Sequence, residues 1–243
     1  MNREDVLALY RPIRASIQCV LRMAVPVCSR ADWTRAAKQL GLWAEGQVLV
    51  DDDDQIDMLA DVALFEPNQR GRRSFDHFLE KTAQQLAPPD LALAHRMATA
   101  SFSIFNVVER HETAGVWLED LLDAGRRLWL MDEGLEASAP DGMVLGMRLF
   151  DAGQFHAGFG IIVPVDEETV EFCVQASVRG ERTPFRYPLA STLYGDSIRA
   201  AAPIGPGDEE LLSALLKILP TDFALPAGDR KPLKAKPKSL RKR

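Results

Sequence analysis

Apolar residues in the first hundred positions recur at helical spacing. Val6, Leu7, Leu9, Tyr10, Ile13, Ile17, Val20 and Leu21 form one such stripe. Pro12 falls inside it. Proline has no N–H to give to the preceding turn, so it is expected to kink this helix or restart it. Pro26 ends the stretch. Ser29 with Asp32 three residues on is a partial capping box. It predicts a second helix with the stripe Trp33, Ala36, Ala37 and Leu40, stopped by Gly41. Residues 47–50 read as a short extended piece. The acids at 51–54 open a third helix carrying Ile56, Leu59, Ala60, Ala63 and Leu64, where negative charge suits the positive end of the helix dipole. Residues 67–71 form a loop. Ser74 is expected to cap a fourth helix with Phe75, Phe78, Leu79 and Leu86, and Pro88, Pro89 and Asp90 start a fifth that runs to about residue 100.

After Ser101 the pattern changes to short β-type runs. Ile104, Phe105, Val107 and Val108 come first, then Val116, Trp117 and Leu118 behind Gly115. Leu128, Trp129 and Leu130 follow Gly125, residues 143–150 follow Gly142, and residues 155–163 follow Gly153. About five short strands, most of them behind a glycine turn, predict a small antiparallel, barrel-like sheet. Helical pattern returns after Pro164, with Asp166 capping 167–178, a second helix over 187–202 and a third over 209–219. From Pro220 the periodicity is lost and Lys, Arg and Pro dominate, the composition of a disordered basic tail. The expected fold class is α+β: a helical N-terminal part (1–100), a small antiparallel β-barrel-like middle unit (101–165), C-terminal helices packed back onto it (166–219) and the tail (220–243).

Several segments in this order resemble a family of uncharacterised bacterial cytosolic proteins. They are Leu40-Gly41-Leu42, the acidic run 51–57, the apolar run 59–65, Ser103-Ile104-Phe105, residues 115–122 and residues 130–135. The resemblance spans about residues 1–165 and leaves out the basic tail. It implies a bacterial cytosolic source and one continuous helical-plus-β unit, and it carries over no catalytic residue.

Composition sharpens this picture in two places. Hydrophobic residues make up 47% of the 243, enough to bury a core. The apolar runs are short, as Arg148 interrupts 143–150, so no membrane segment is expected. Met1-Asn2-Arg3-Glu4-Asp5 lacks the basic start and apolar stretch of a signal peptide. Cys19, Cys28 and Cys173 form no CxxC and read as buried, reduced thiols of a cytoplasmic protein. The second change comes from charge. The formal net charge of −6 becomes −14 once the eight cations Arg230, Lys231, Lys234, Lys236, Lys238, Arg241, Lys242 and Arg243 are set apart, and no acid stands among them. An acidic body repels phosphate backbones, whereas such a tail offers them contacts.

Candidate chemistry is sparse. Read as a calcium loop from Asp51, the run 51–57 puts Ile56 where glycine is needed and Val62 where the bidentate Glu belongs. Asp53, Asp54 and Asp57 match the DDxxD spacing with which prenyl-transferring enzymes hold magnesium diphosphate, but no second copy of that motif exists. Asp51, Asp53, Asp54 and Asp57 are therefore candidate metal ligands only beside the plainer reading of a solvated helix cap. His77, His95, His111 and His156 show no metal-site spacing, and there is no Gly-x-Ser-x-Gly elbow, phosphate loop or dinucleotide fingerprint. Glu119, Asp120 and Asp123 precede Arg126 and Arg127 across a turn, as cross-strand ion pairs would. No cofactor is implied. The first functional reading is a non-enzymatic protein-interaction or adaptor module with an unidentified protein partner. A second is RNA or ribosome contact through the tail, and a third is a hydrolase or metal-dependent enzyme built on the carboxylates.

Overall fold

The computed structural model describes residues 1–181 and 185–201. Helix α1 (Arg3–Ala24) starts from a full capping box between Asn2 and Asp5. It runs through Pro12 as one helix, so the proline does not restart it. Pro12 and Ala8 both face solvent, so water can take the Ala8 carbonyl that the proline leaves without its helical N–H. Helix α2 (Arg30–Leu40) has the expected Ser29–Asp32 box and ends at Gly41, whose φ of 79° is left-handed. A two-residue hairpin follows, β1 (Trp43–Ala44) with β2 (Gln47–Val48), of which only the second strand was legible as an extended piece. Asp52 caps α3 (Asp53–Phe65) by accepting from the Gln55 N–H. Ser74 turns out to be the first residue of α4 (Ser74–Lys81), not its cap. Arg73 holds the cap position, with its guanidinium on Asp76 and the Ala98 carbonyl. Leu86 lies beyond a separate 3-10 turn, and α5 spans Pro88–Met97.

The β segment holds β3 (Ser101–Arg110), β4 (Val116–Asp120), β5 (Arg126–Leu130), a short helix α6 (Glu133–Ser138), β6 (Val144–Asp151) and β7 (His156–Pro164). Strand order is β3-β4-β5-β7-β6, and β6 pairs back onto β3. The expectation of a wholly antiparallel unit needs correction at one joint, where β5 and β7 pair in parallel and only at Leu130 with His156. The cause is parity. Strand directions cannot alternate all the way round a ring of five, so one joint must be parallel. Here β5 ends at Leu130 and the chain turns away into α6, so that joint stays a single bridge. The result is a strongly bent five-stranded sheet with a seam, not an evenly closed barrel.

Inside the sheet Phe105, Val107, Leu118, Leu128, Leu145 and Met147 form one apolar cluster, and Leu135 of α6 plugs it beside the seam. The helices pack on the outer face through a run of stacked rings. Phe65 lies 4.7 Å from Phe75 and 4.8 Å from Phe159, which is 5.7 Å from Phe150. Beyond the sheet come α7 (Glu167–Val178), capped by Asp166 as expected, and α8 (Leu189–Ala201). Helix α8 packs against α2 and strands β3, β6 and β7, burying Ala190, Leu193 and Tyr194. Gly146 of β6 permits this approach, because a Cβ there would come within 2.9 Å of the Leu193 side chain. The expected helix over 209–219 and the basic tail lie outside the described residues. Among the described residues no helix is long and apolar enough to cross a membrane.

Candidate functional site

Because β5 meets β7 at one point, no strand among the described residues covers the outer edge of β7 over residues 158–164. Three connected hollows flank that edge. One of about 460 Å³ lies between α1, α6 and β7, with Tyr10, Arg14, Glu133, Gly160 and Ile162 on its walls. A second, about 220 Å³, sets Asp54, Asp57 and Met58 of α3 against Gly160, Ile161 and Ile162. The third, about 290 Å³, runs between α1 and α3, with Leu21, Val25, Leu64 and Phe65 on its sides and Phe159 and Ile161 at its base. Ile161 and Asp57 belong to both the second and third hollows, so the three read as one groove along a strand edge. Gly160 shapes its middle. At φ +90° it takes a left-handed conformation, and a Cβ there would lie 2.6 Å from the Arg14 guanidinium. That guanidinium reaches across to donate to the Gly158 carbonyl at 3.4 Å.

The α3 wall is more acidic than its cap requires. Asp52 alone caps the helix, while Asp53, Asp54 and Asp57 stand exposed along the first two turns. Partial burial, and then the neighbouring Asp54 and Asp53, raise the Asp57 carboxyl above the ordinary range. A raised carboxyl contributes stability at low pH and loses it as pH climbs through the folded value, so ionised Asp57 is a burden at neutrality. Asp57→Asn is therefore expected to raise the melting temperature slightly at pH 7 and to give no gain at pH 3. A lower melting temperature at pH 7 would contradict this origin of the shift.

Beneath the groove lies a buried charge cluster. Arg148 of β6 donates through Nε to Asp61 Oδ1 at 3.0 Å, and through Nη2 to Asp61 Oδ2 at 3.1 Å and Glu66 Oε1 at 2.7 Å. Its guanidinium also lies 5.3 Å from the Phe65 ring and 5.8 Å from Phe102. Burial opposes the guanidinium charge, but the Asp61 and Glu66 carboxylates outweigh it and raise the Arg148 pKa. Tyr194 of α8 sits beside them, its hydroxyl buried against the Asp61 carboxylate. Burial and then Asp61 raise that hydroxyl well above its ordinary pKa, so it remains a neutral phenol. Asp61 also lines the third hollow, so the cluster fixes the acidic helix against the sheet. In the sequence Arg148 was legible only as a polar break in an apolar run. An arginine inside a strand buried nearly end to end must be paired, and that demand was the available signal.

The other candidates are dispersed. Asp51, Asp53, Asp54 and Asp57 lie at or just before the start of α3, and only Asp54 and Asp57 face the groove. Among the described residues no group of three or more His, Cys, Asp or Glu is placed to hold a metal ion. His77 borders a polar hollow with Arg70, Arg72 and Arg73, of which Arg72 pairs with Glu80 and Arg73 with Asp76. His95 is exposed on α5. His111 stacks on Trp129 at 4.0 Å, and the His156 carbonyl accepts the Met131 N–H at 3.0 Å. Cross-strand pairing explains only some of the carboxylates. Asp123 pairs with Arg126 at 3.0 Å, and Arg127 pairs with Glu109 of β3 instead of Glu119. Among the described residues Asp120 forms no ion pair. It is buried, accepting from Ser103 Oγ at 2.6 Å and the Leu122 N–H at 3.0 Å. Asp132 caps α6, Glu133 pairs with Arg11 and Glu136 with Arg3. Cys28 and Cys173 are buried, as expected, while Cys19 is half-buried. Burial pushes the Cys28 thiol up to about 11, which keeps it unreactive. Arg230, Lys231, Lys234, Lys236, Lys238, Arg241, Lys242 and Arg243 lie outside the described residues.

Comparison with known proteins returns neither a matching curated protein nor a matching solved structure. One family model does match, and it reaches further along the chain than the resemblance over 1–165. It covers residues 5–178, from the first turn of α1 through the whole sheet to the last residue of α7, and the chain therefore belongs to DUF7986, a family of unknown function.

Proposed function

We propose that this protein is a non-enzymatic interaction module of the bacterial cytosol, and that its docking surface is the outer edge of β7 with the groove around it. The observation that carries this reading is the single β5–β7 bridge, which leaves the edge of residues 158–164 that faces away from β6 without a partner strand among the described residues. A free strand edge presents N–H and C=O groups that an extended segment of another protein can pair with. Main-chain bonds then supply affinity, and hollows for alternate side chains supply selection. Ile161 and Ile162, both half-buried, give that edge an apolar surface. The cytosolic setting is supported by the buried Cys28 and Cys173 thiols.

A photo-crosslinking residue installed in source cells tests the location. At Ile162 it is expected to give discrete adducts with a partner protein. At Val178, which is 83% exposed on α7, it is expected to give none. Adducts of equal yield from both positions, or none from Ile162, would refute the β7 edge as the docking surface.

A further inference from the structure

We infer that the segment seated on β7 is a basic one, carrying Lys or Arg opposite Asp54 and Asp57 and a bulky apolar side chain beside it. This rests on the strand-edge reading above and adds the chemistry of the occupant.

Charge complementarity selects the basic residue. The middle of the groove is walled by Asp54 and Asp57, with Asp53 adjoining, and none of these three forms an ion pair among the described residues. Asp57 shows that the crowding is unfavourable in the free protein, since burial and its two acidic neighbours raise its pKa. A docked cation would offset that repulsion. The cations at the groove are Arg14, which is turned onto the Gly158 carbonyl, and Arg22, which donates to the Gln18 carbonyl on its own helix. Arg14 draws the Asp57 carboxyl down in part, but burial and the acidic neighbours outweigh it, so the α3 wall keeps negative charge for a partner to meet. The negative charge of the body would also steer a basic segment toward it.

Adjacency selects the apolar residue. Asp57 and Ile161 line both the acidic hollow and the larger one between α1 and α3. Leu21, Val25, Leu64 and Phe65 make most of that larger hollow apolar beside Gln18 and Arg22, and its volume of about 290 Å³ is ample for one large aliphatic or aromatic side chain. In an extended segment, residues two apart share a face and neighbours alternate, so a cation and an anchor close in sequence can reach the two hollows together.

Fluorescence anisotropy of the full chain with short synthetic peptides tests this. The probe alternates Lys and Val around one Phe. Its first counterpart replaces every Lys by Glu, and its second is N-methylated at alternate amides to block strand pairing. The Lys peptide is expected to bind, and to weaken as salt is raised. The double variant Asp54→Lys, Asp57→Lys keeps the Asp52 cap and alters only exposed positions, so it is expected to remain folded, which its melting curve beside the parent's checks. It is expected to lose the Lys peptide by about tenfold or more and to gain the Glu peptide. Equal binding of the Lys and Glu peptides by the parent overturns the basic occupant and leaves the strand-edge reading standing. Undiminished binding of the N-methylated peptide overturns strand pairing and leaves the charge preference standing. Binding of no peptide overturns the basic occupant, and the Ile162 crosslink then decides the edge reading separately.

Discussion

Replacing Arg148 by methionine is expected to destabilise the protein by about 3–5 kcal/mol, the usual scale for removing one partner of a buried charge group. Methionine fills most of the same space, so packing is not the main loss. What changes is the fate of Asp61 and Glu66. Their side chains are 1% and 10% exposed, and Arg148 is the cation that both of them bind. Two carboxylates left there have neither water nor a counter-charge. Their removal should therefore repair the defect in part. Adding Asp61→Asn to Arg148→Met is expected to recover a substantial share of the loss, because only Glu66, the more exposed of the two, then remains charged. Urea unfolding of the two variants and the parent measures this. A single variant within about 1 kcal/mol of the parent would mean that the cluster contributes little to stability.

The second large effect is expected at Gly115, between β3 and β4. Its φ is +82°, and a Cβ there would stand 2.2 Å from the Leu130 carbonyl oxygen and 3.1 Å from Met131 Cα. Both are backbone atoms at the end of β5, so no side chain can rotate away to relieve the clash. Gly115→Ala must then push β4 from β5 where Val116 pairs with Leu130, close to the one bridge that joins β5 to β7. A loss of about 3 kcal/mol is expected, combining left-handed strain with the displacement. Gly142 is the control. Its φ is +81°, but nothing lies within 4 Å of a Cβ there, so Gly142→Ala should cost about 1 kcal/mol from strain alone. Equal losses at the two positions would show that the close approach at Gly115 does not matter.

Much of the local structure was legible because its causes are local. Capping pairs such as Ser29–Asp32 and Asp166–Thr169 announce helix starts within a few residues, and the glycine turns before four of the five strands do the same. Errors came where a remote surface decides. Pro12 is tolerated because its face of α1 meets water, and Ser74 yields its capping place to Arg73, whose guanidinium is held from α5. Helix α6 was missed because six residues show little periodicity, although Asp132 was a readable cap. The groove was illegible for a different reason. Its walls come from α1, α3 and β7, which are spread over more than a hundred residues of the chain, and no motif links Leu21 to Asp57 to Ile161. The acidic run was conspicuous, but which of its members face a strand edge depends on the roll of α3, which Asp61 and Arg148 fix together.

Helix α8 has a consequence for what the family can share. It lies beyond residue 178, where the family match ends, yet it supplies Tyr194 to the Asp61–Arg148 cluster and sets that ring edge-on to Phe102 at 5.3 Å. It also covers Gly146, whose missing side chain makes room for it. The matched span is thus not by itself a complete folding unit in this chain. A polypeptide ending at Val178 would expose one wall of its main core and admit water to its buried charges. A chain with only the matched span would need another helix or another subunit to seal that wall.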